Sequence, residues 1–344
     1  MKITVGVTTY NIDKYLSEFF DSLFNQTFKD FEVIVIDDNS NDNTLNIIKN
    51  YKENYSDKFY YLQTLKNLGS PSYTRNKILD SSNISGEYII FLDGDDILEY
   101  DFLEKLFNNL TENNSDMSIC GFERFDDKTK KVYSKEMVNF KYKYLEKKDF
   151  DDSLCFINVS LWNKLIRYSC IKDIRFKDVR GPEDSLFMIE AYQNINKISF
   201  VNDILIHYRV RYNSVVNASL DTVYKYGEFL KQEKELYKKQ NNLDFDILVL
   251  FSFIHLGISL SYRLFLHRKT DMDKHILWTR KYFDDEFPSW RRLKYLSLIY
   301  QLKNNGIKGF GVCMCSFLYK INCFKLFLRI YSFVINTFKI DIKW

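Results

Sequence analysis

The chain has 344 residues, of which 46% are hydrophobic and 28% charged, and its formal net charge is +3. This length exceeds one ordinary domain of roughly 100 to 200 residues, and the apolar content excludes an intrinsically disordered chain. The charge is too small to mark a nucleic-acid binder, and six cysteines without paired CxxC motifs exclude a zinc-ribbon pattern, so the thiols read as reduced and cytosolic. The opening Met1-Lys2-Ile3-Thr4-Val5-Gly6-Val7 runs directly into a strand pattern and lacks the apolar stretch of a signal peptide. Three prolines with abundant Asn, Lys, Ile, Tyr and Phe suggest an AT-rich bacterial genome.

Along the first hundred residues, short apolar runs alternate with helix-period segments, the signature of βαβ units on a mostly parallel sheet. Strands are expected at 3–8, 31–37, 59–63 and 88–93, and helices at 14–25, 44–54, 72–81 and 101–110. In such sheets ligands bind beyond the carboxyl ends of the strands. Those ends read Thr8-Thr9-Tyr10-Asn11, Asp37-Asp38-Asn39-Ser40 and Asp93-Gly94-Asp95-Asp96, three polar clusters that the topology brings to one rim. From 116 to 213 the pattern is mixed, with strands at 117–125 and 197–210, and it is assigned to the same domain.

After Ser214 the sequence turns helical, with a charged helix over 221–240 and an apolar one over 245–266. The apolar helix contains His255, ends at Arg263, and its clean stretch falls short of the roughly 20 residues a membrane span needs, so a buried bundle helix is favoured. The last forty residues interleave Lys308, Lys320, Lys325, Arg329, Lys339 and Lys343 with apolar residues and Trp344, against one acidic residue, Asp341. Two readings stay open: an element on an anionic membrane surface, and a terminal helix docked on the protein's own core with a solvated basic face.

The strand 88–93 ends abruptly in Asp93-Gly94-Asp95-Asp96. Mg²⁺ and Mn²⁺ prefer oxygen ligands, and Mg²⁺ takes one or two carboxylates with water and phosphate filling the other positions. An acidic triplet alone is an ordinary turn; with Asp37-Asp38 on the same rim it suggests a cation site.

The segments Val7-Thr8-Thr9-Tyr10-Asn11, Val35-Ile36-Asp37-Asp38-Asn39-Ser40 and Phe91-Leu92-Asp93-Gly94-Asp95-Asp96 resemble those of family 2 glycosyltransferases of the GT-A fold. Asn67-Leu68-Gly69, Thr74-Arg75-Asn76, Trp162-Asn163-Lys164-Leu165, Glu183-Asp184-Ser185 and His207-Tyr208-Arg209 follow in the family's order, and the resemblance covers about residues 1–215. It implies an α/β, Rossmann-like domain over 1–215 with a mostly parallel central sheet, and a helical C-terminal domain over 216–344.

For function, the resemblance implies transfer of a sugar from a UDP-sugar of glucose, galactose or GlcNAc type to a hydroxyl of a glycan or lipid-linked acceptor. Tyr10 would stack on uracil with Thr8 and Asn11 bordering the uridine, Asp38 would accept the uracil N3–H, and Arg75 would approach the diphosphate. Asp93 and Gly94 would lie near the ribose, Asp95 and Asp93 would hold Mn²⁺ or Mg²⁺, and His207 would reach the metal. Trp162 would floor the acceptor pocket. Asp184 would be the base of an inverting displacement, oriented by Glu183, since an acceptor hydroxyl needs its proton removed as it attacks. The same Pro182-Glu183-Asp184 is also a good helix start. Helical C-terminal domains in similar enzymes sometimes dimerise.

The absence of Gly-x-Gly-x-x-Gly after the first strand argues against a dinucleotide-dependent dehydrogenase, and no P-loop occurs. A nucleotidyltransferase leaves the Glu183-Asp184 motif unexplained. The non-enzymatic alternative is an inactive subunit of the same fold that binds nucleotide-sugars or serves as a scaffold.

Overall fold

The computed structural model describes residues 1–138, 140–179, 182–211, 219–240, 243–267 and 272–338. In chain order the elements of the first part are β1 (Ile3–Thr9), α1 (Asp13–Phe24), β2 (Phe31–Asp37), α2 (Thr44–Asn54), β3 (Phe59–Gln63), α3 (Pro71–Leu79), β4 (Tyr88–Asp93), β5 (Ile97–Leu98), α4 (Phe102–Glu112), β6 (Met117–Asp126), β7 (Val132–Glu136), β8 (Tyr144–Glu146), β9 (Lys164–Arg167), α5 (Glu183–Ala191) and β10 (Lys197–Val210). The helical part follows as α6 (Leu220–Gln240), α7 (Phe245–Ser252), a π-helical stretch (Phe253–Leu260), α8 (Ser261–His267), α9 (Met272–Glu286), α10 (Leu298–Lys320) and α11 (Phe324–Phe338).

The chain forms two compact units. One comprises Met1–Asp149, Asn158–Asp178 and Glu190–Ser214; the other comprises Phe150–Ile157, Val179–Ile189 and Val215–Trp344. Besides the stretch from 215 onward, two short earlier segments, one carrying Glu183 and Asp184, cluster with the helical unit.

All the strands belong to the first unit, in the order β3-β2-β1-β4-β9-β6-β10-β5, with β7 on β6 and β8 on β10. β1 pairs in parallel with β2 and β4, and β2 with β3. β9 is antiparallel to both β4 and β6, so it restores the direction of β6, and β10 runs parallel to β6. The carboxyl ends of β1, β2, β3, β4, β6 and β10 thus share one edge. This is the geometry that gathers chemistry-bearing residues at a single rim.

The sequence dictates the packing locally. β1 and β2 are almost wholly buried apolar runs, as parallel strands covered on both faces must be. α1 buries Leu16, Phe19, Phe20, Leu23 and Phe24, an i, i+3, i+4 stripe laid on the sheet. α3 starts at a Ser70 cap, whose side chain accepts from the Ser72 amide, with Pro71 in the first turn where its missing N–H costs nothing.

In the helical unit, Phe245 to Phe265 forms 21 helical residues of mean hydropathy 1.7, long and apolar enough by composition to cross a membrane, contrary to the sequence expectation that it falls short. Within this unit 72% of its apolar window is buried, the situation of a bundle helix. Ser261 Oγ lies 2.8 Å from His275 Nε2 and 3.0 Å from the Tyr319 hydroxyl, which donates to the Gly257 carbonyl. This buried polar knot joins the π-helical stretch to α8, α9 and α10. Burial pushes the His255 imidazole down to about 3 and the His275 imidazole down to about 4, so both are neutral in the folded unit.

Candidate active site

Within the first unit, the ends of β1 and β2 are tied together by side chains. Asp37 is fully buried and accepts from Thr9 Oγ1 (2.9 Å), Ser40 Oγ (2.6 Å), the Ser40 amide (3.0 Å) and Gln63 Nε2 (3.1 Å). The Asn11 amide donates to Ser40 Oγ, and the Asn41 amide donates to Asn11 Oδ1. Asn11 and Asn39 hold φ of 49° and 62°, a left-handed conformation that Asn tolerates better than most residues. The outcome is a rigid rim on which Tyr10 is 46% exposed, so its ring is open to solvent.

Asp38, the next residue, turns the other way. Its carboxylate accepts from the Leu68 amide (2.8 Å), the Gly69 amide (3.1 Å) and Thr64 Oγ1 (3.2 Å). A carboxylate has about four lone-pair positions, so one acceptor position remains. Arg75, on α3, is buried, lies 3.4 Å from Asp93 Oδ1 and covers the Phe176 ring at 5.5 Å. It is therefore a site-facing cation and not a surface arginine.

Gly94 follows in close packing: a Cβ there would lie 2.8 Å from Ile12 Cδ1 and 3.1 Å from Leu16 Cδ1, so those side-chain ends would have to shift. Its role in the structure is to let the acidic loop pass beneath the start of α1. The loop itself carries excess negative charge. Asp95 Oδ2 pairs with Arg211 at 2.8 Å, yet burial, reinforced by Asp93, outweighs that attraction and pushes the Asp95 carboxyl up to about 6. Asp96 is buried, accepts from the Arg209 amide through Oδ1, and its Oδ2 has no hydrogen-bond partner among the described residues. Burial and the two neighbouring aspartates hold its carboxyl well above the usual range.

Arg209 braces this loop. Its Nε donates to the Asp95 carbonyl and Nη1 to Asp127 Oδ1, both at 2.8 Å, and Nη2 donates to Glu18. Sequence reasoning singled out neither Arg209 nor Arg211 as a site residue. The available signal was the period-two spacing at the end of a strand, which places both on one side, and both indeed lie over the Tyr15 ring.

A divalent cation fits this loop in donor type and charge. Three carboxylates follow one another in the loop, the Asp95 carboxyl is destabilised as an anion, and Asp96 Oδ2 is buried without a partner among the described residues, a charge balance that a hard cation relieves. Among the described residues no trio of His, Cys, Asp or Glu is arranged as an all-protein cage.

Two expected roles are corrected. His207 sits with Nδ1 at 2.8 Å from Glu123 and Nε2 at 2.8 Å from Glu99, so both ring nitrogens are occupied by carboxylates and neither is directed to a metal. Trp162 is 4% exposed and packs edge-on against Phe122 at 4.5 Å and flat against Tyr208 at 5.2 Å. It is a core residue of the sheet and offers no floor to an acceptor pocket.

In the helical unit, α5 begins with Glu183 and Asp184 in its first turn, as a helix start predicts; Glu183 is buried and Asp184 half-buried. The helix is held by Ser185, whose Oγ lies 2.9 Å from the Tyr226 hydroxyl, and by the Tyr237 hydroxyl, which donates to the Ile189 carbonyl.

The chain is similar to known proteins over most of this unit. The model of the family described as "Glycosyl transferase family 2" matches residues 4–173. The cholesterol galactosyltransferase of Borreliella burgdorferi is 32% identical over 252 residues, 70% of this chain and 68% of that protein. The chain belongs to glycosyl transferase family 2. Another relative is the poly(ribitol-phosphate) beta-N-acetylglucosaminyltransferase TarP of Staphylococcus aureus, 37% identical over 59% of this chain and 61% of its own length. The crystal structure of S. aureus TarS 1-349 in complex with UDP-GlcNAc superposes with a TM-score of 0.69 at 23% identity, covering 94% of this chain and 92% of that one, and shows the same GT-A fold. The chain spans 31% to 61% of the length of the first curated relatives it matches.

Proposed function

We propose that the protein transfers a sugar from a UDP-sugar of glucose, galactose or GlcNAc type to a hydroxyl group, with inversion at the anomeric carbon. The observation that carries this reading is the rim of the first unit, where an exposed aromatic ring, a carboxylate with one acceptor position left, and an under-compensated acidic loop flanked by buried arginines stand at neighbouring strand ends. Tyr10 stacks on the uracil, bordered by Thr8 and Asn11, and Asp38 accepts from the base N3–H. Arg75 draws the donor's charged groups toward Asp93, beside the ribose and Gly94. Asp93 and Asp95 would hold Mn²⁺ or Mg²⁺, which supplies positive charge to the departing diphosphate. Arg209 keeps the loop in the conformation that presents those carboxylates. Asp184 accepts the acceptor proton and Glu183 orients it, an assignment supported by the order of motifs and by Asp184 being the less buried of the two.

The acceptor class we propose is a glycan or lipid-linked oligosaccharide of the cell envelope, handled in the cytoplasm at the inner face of the membrane. A relative whose name specifies poly(ribitol-phosphate) supports a polymer acceptor. The test is a donor screen by UDP release with candidate envelope acceptors, followed by Asp184→Asn. That variant is expected to retain UDP-sugar binding by calorimetry and to lose transfer by at least about a thousandfold. Unchanged turnover moves the base elsewhere, with Glu183 the first place to look.

A further inference from the structure

The stretch from Leu298 to Phe338 contains five basic residues, Lys303, Lys308, Lys320, Lys325 and Arg329, and no acidic one. A helix docked on its own core buries one apolar stripe and turns a polar face outward. α11 buries Phe324, Leu328 and Tyr331, yet beside Arg329 its outward positions include Leu326, Ile330 and Phe333, again apolar and again at helical spacing. α10 behaves likewise. Gly306, with φ of 55°, breaks it into two segments. The first exposes Leu298, Ile299 and Leu302; the second exposes Ile307, Phe310, Phe317 and Ile321 on one face, with Ile299 82% and Ile307 77% exposed.

The charges are divided by use. Lys325 pairs with Asp273, and Lys320 donates to the Arg291 carbonyl, so both are spent inside the unit. Lys303, Lys308 and Arg329 are exposed beside the apolar stripes and make no ion pair among the described residues.

We infer that the outward faces of α10 and α11 are a contact surface for an anionic lipid bilayer. Apolar side chains at both stripes enter the interfacial layer, while the exposed basic groups extend to phosphate headgroups. Charge selects this occupant over a second copy of the chain, because a two-fold contact between identical faces sets unpaired cations against each other. The inference rests on the membrane location proposed above and supplies its surface within the described residues; Lys339, Asp341, Lys343 and Trp344 of the expected tail lie outside them.

The experiment is flotation of the full chain with vesicles of phosphatidylcholine alone and of phosphatidylcholine with phosphatidylglycerol. The protein is expected to float only with the anionic vesicles and to be released by salt. Replacing Lys303, Lys308 and Arg329 together by Ala is expected to weaken partitioning on the order of a hundredfold, at roughly fivefold per basic residue near the surface. Circular dichroism is expected to show the parent fold, since these side chains are exposed. The pair Ile307→Ser and Phe317→Ser is expected to abolish flotation. Equal binding to neutral vesicles, no flotation of the parent, or a triple variant that floats like the parent overturns the inference. So does a dimer in vesicle-free light scattering that Phe317→Ser dissolves, which assigns the face to a second copy. Calorimetric binding of UDP-GlcNAc, measured without vesicles, separates the two ideas: donor binding without flotation removes only the surface, and flotation without donor binding removes only the transfer reading.

Discussion

The acidic pair that ends β2 and the acidic trio that ends β4 stand on the same sheet edge, yet the fold handles their charges in opposite ways. Asp37 and Asp38 are saturated or nearly so by hydroxyl, amide and backbone N–H donors from β1, β3 and the segments that follow. Half-buried Asp95 pairs with Arg211, buried Asp96 accepts from the Arg209 amide, and an oxygen of Asp96 has no partner among the described residues. Satisfied buried carboxylates are scaffold; under-satisfied ones carry a cost that a native fold retains where a ligand relieves it. Asp37 is thus frame, Asp38 keeps one acceptor position for a ligand, and the β4 trio is the under-satisfied part of the candidate site.

Replacing a residue from each cluster tests that division, and the largest expected effect lies on the site side. Asp95→Ala is expected to lower turnover by a thousandfold or more, on the order of 4 kcal/mol of transition-state stabilisation, with an unchanged or slightly raised melting temperature. A variant that melts far earlier and keeps its turnover would exchange the two roles. On the frame side, Asp37→Ala strands four donors and is expected to cost about 3 kcal/mol in chemical denaturation. Intact stability there would mean that those hydrogen bonds contribute little.

A smaller effect follows from the raised Asp95 carboxyl. Its folded value, about 6, lies above the ordinary 3.8, so the folded chain binds more protons than the unfolded one between those values. Stability from this group is therefore present at low pH and is lost as pH rises toward and through 6. Between pH 5 and pH 7 the ligand-free parent is expected to lose between about 1 and 2 kcal/mol relative to Asp95→Asn, read as the difference in their melting curves. Parallel pH profiles would sink the claim that Asp95 is held at a cost. The smallest effect belongs to Thr9→Val, which removes one of four donors to Asp37. It is expected to cost about 1 kcal/mol or less and to leave turnover within twofold.

Much of this was legible in one dimension. Alternating apolar runs and helix-period segments announce a sheet with parallel neighbours, and strands that end in Thr9-Tyr10-Asn11, Asp37-Asp38 and Asp93-Gly94-Asp95-Asp96 announce its polar edge, because strand direction alone puts those ends together. The resemblance of ordered motifs named the family from the same residues.

What the chain order could not contain is which neighbours each side chain meets. Trp162 became core because Phe122 and Tyr208 arrive from β6 and β10, and the His207 ring is occupied because Glu123 lies beside it within β6 and Glu99 follows the end of β5. Arg209 and Arg211 entered the site because β9 runs backward between β4 and β6, which returns β10 to the direction of β4 and delivers its end to the acidic loop. Sequence determined the residues' periodicity, and with it the strand ends; the donors and charges that surround each carboxylate are set by long-range pairing, and only the tertiary structure decides them.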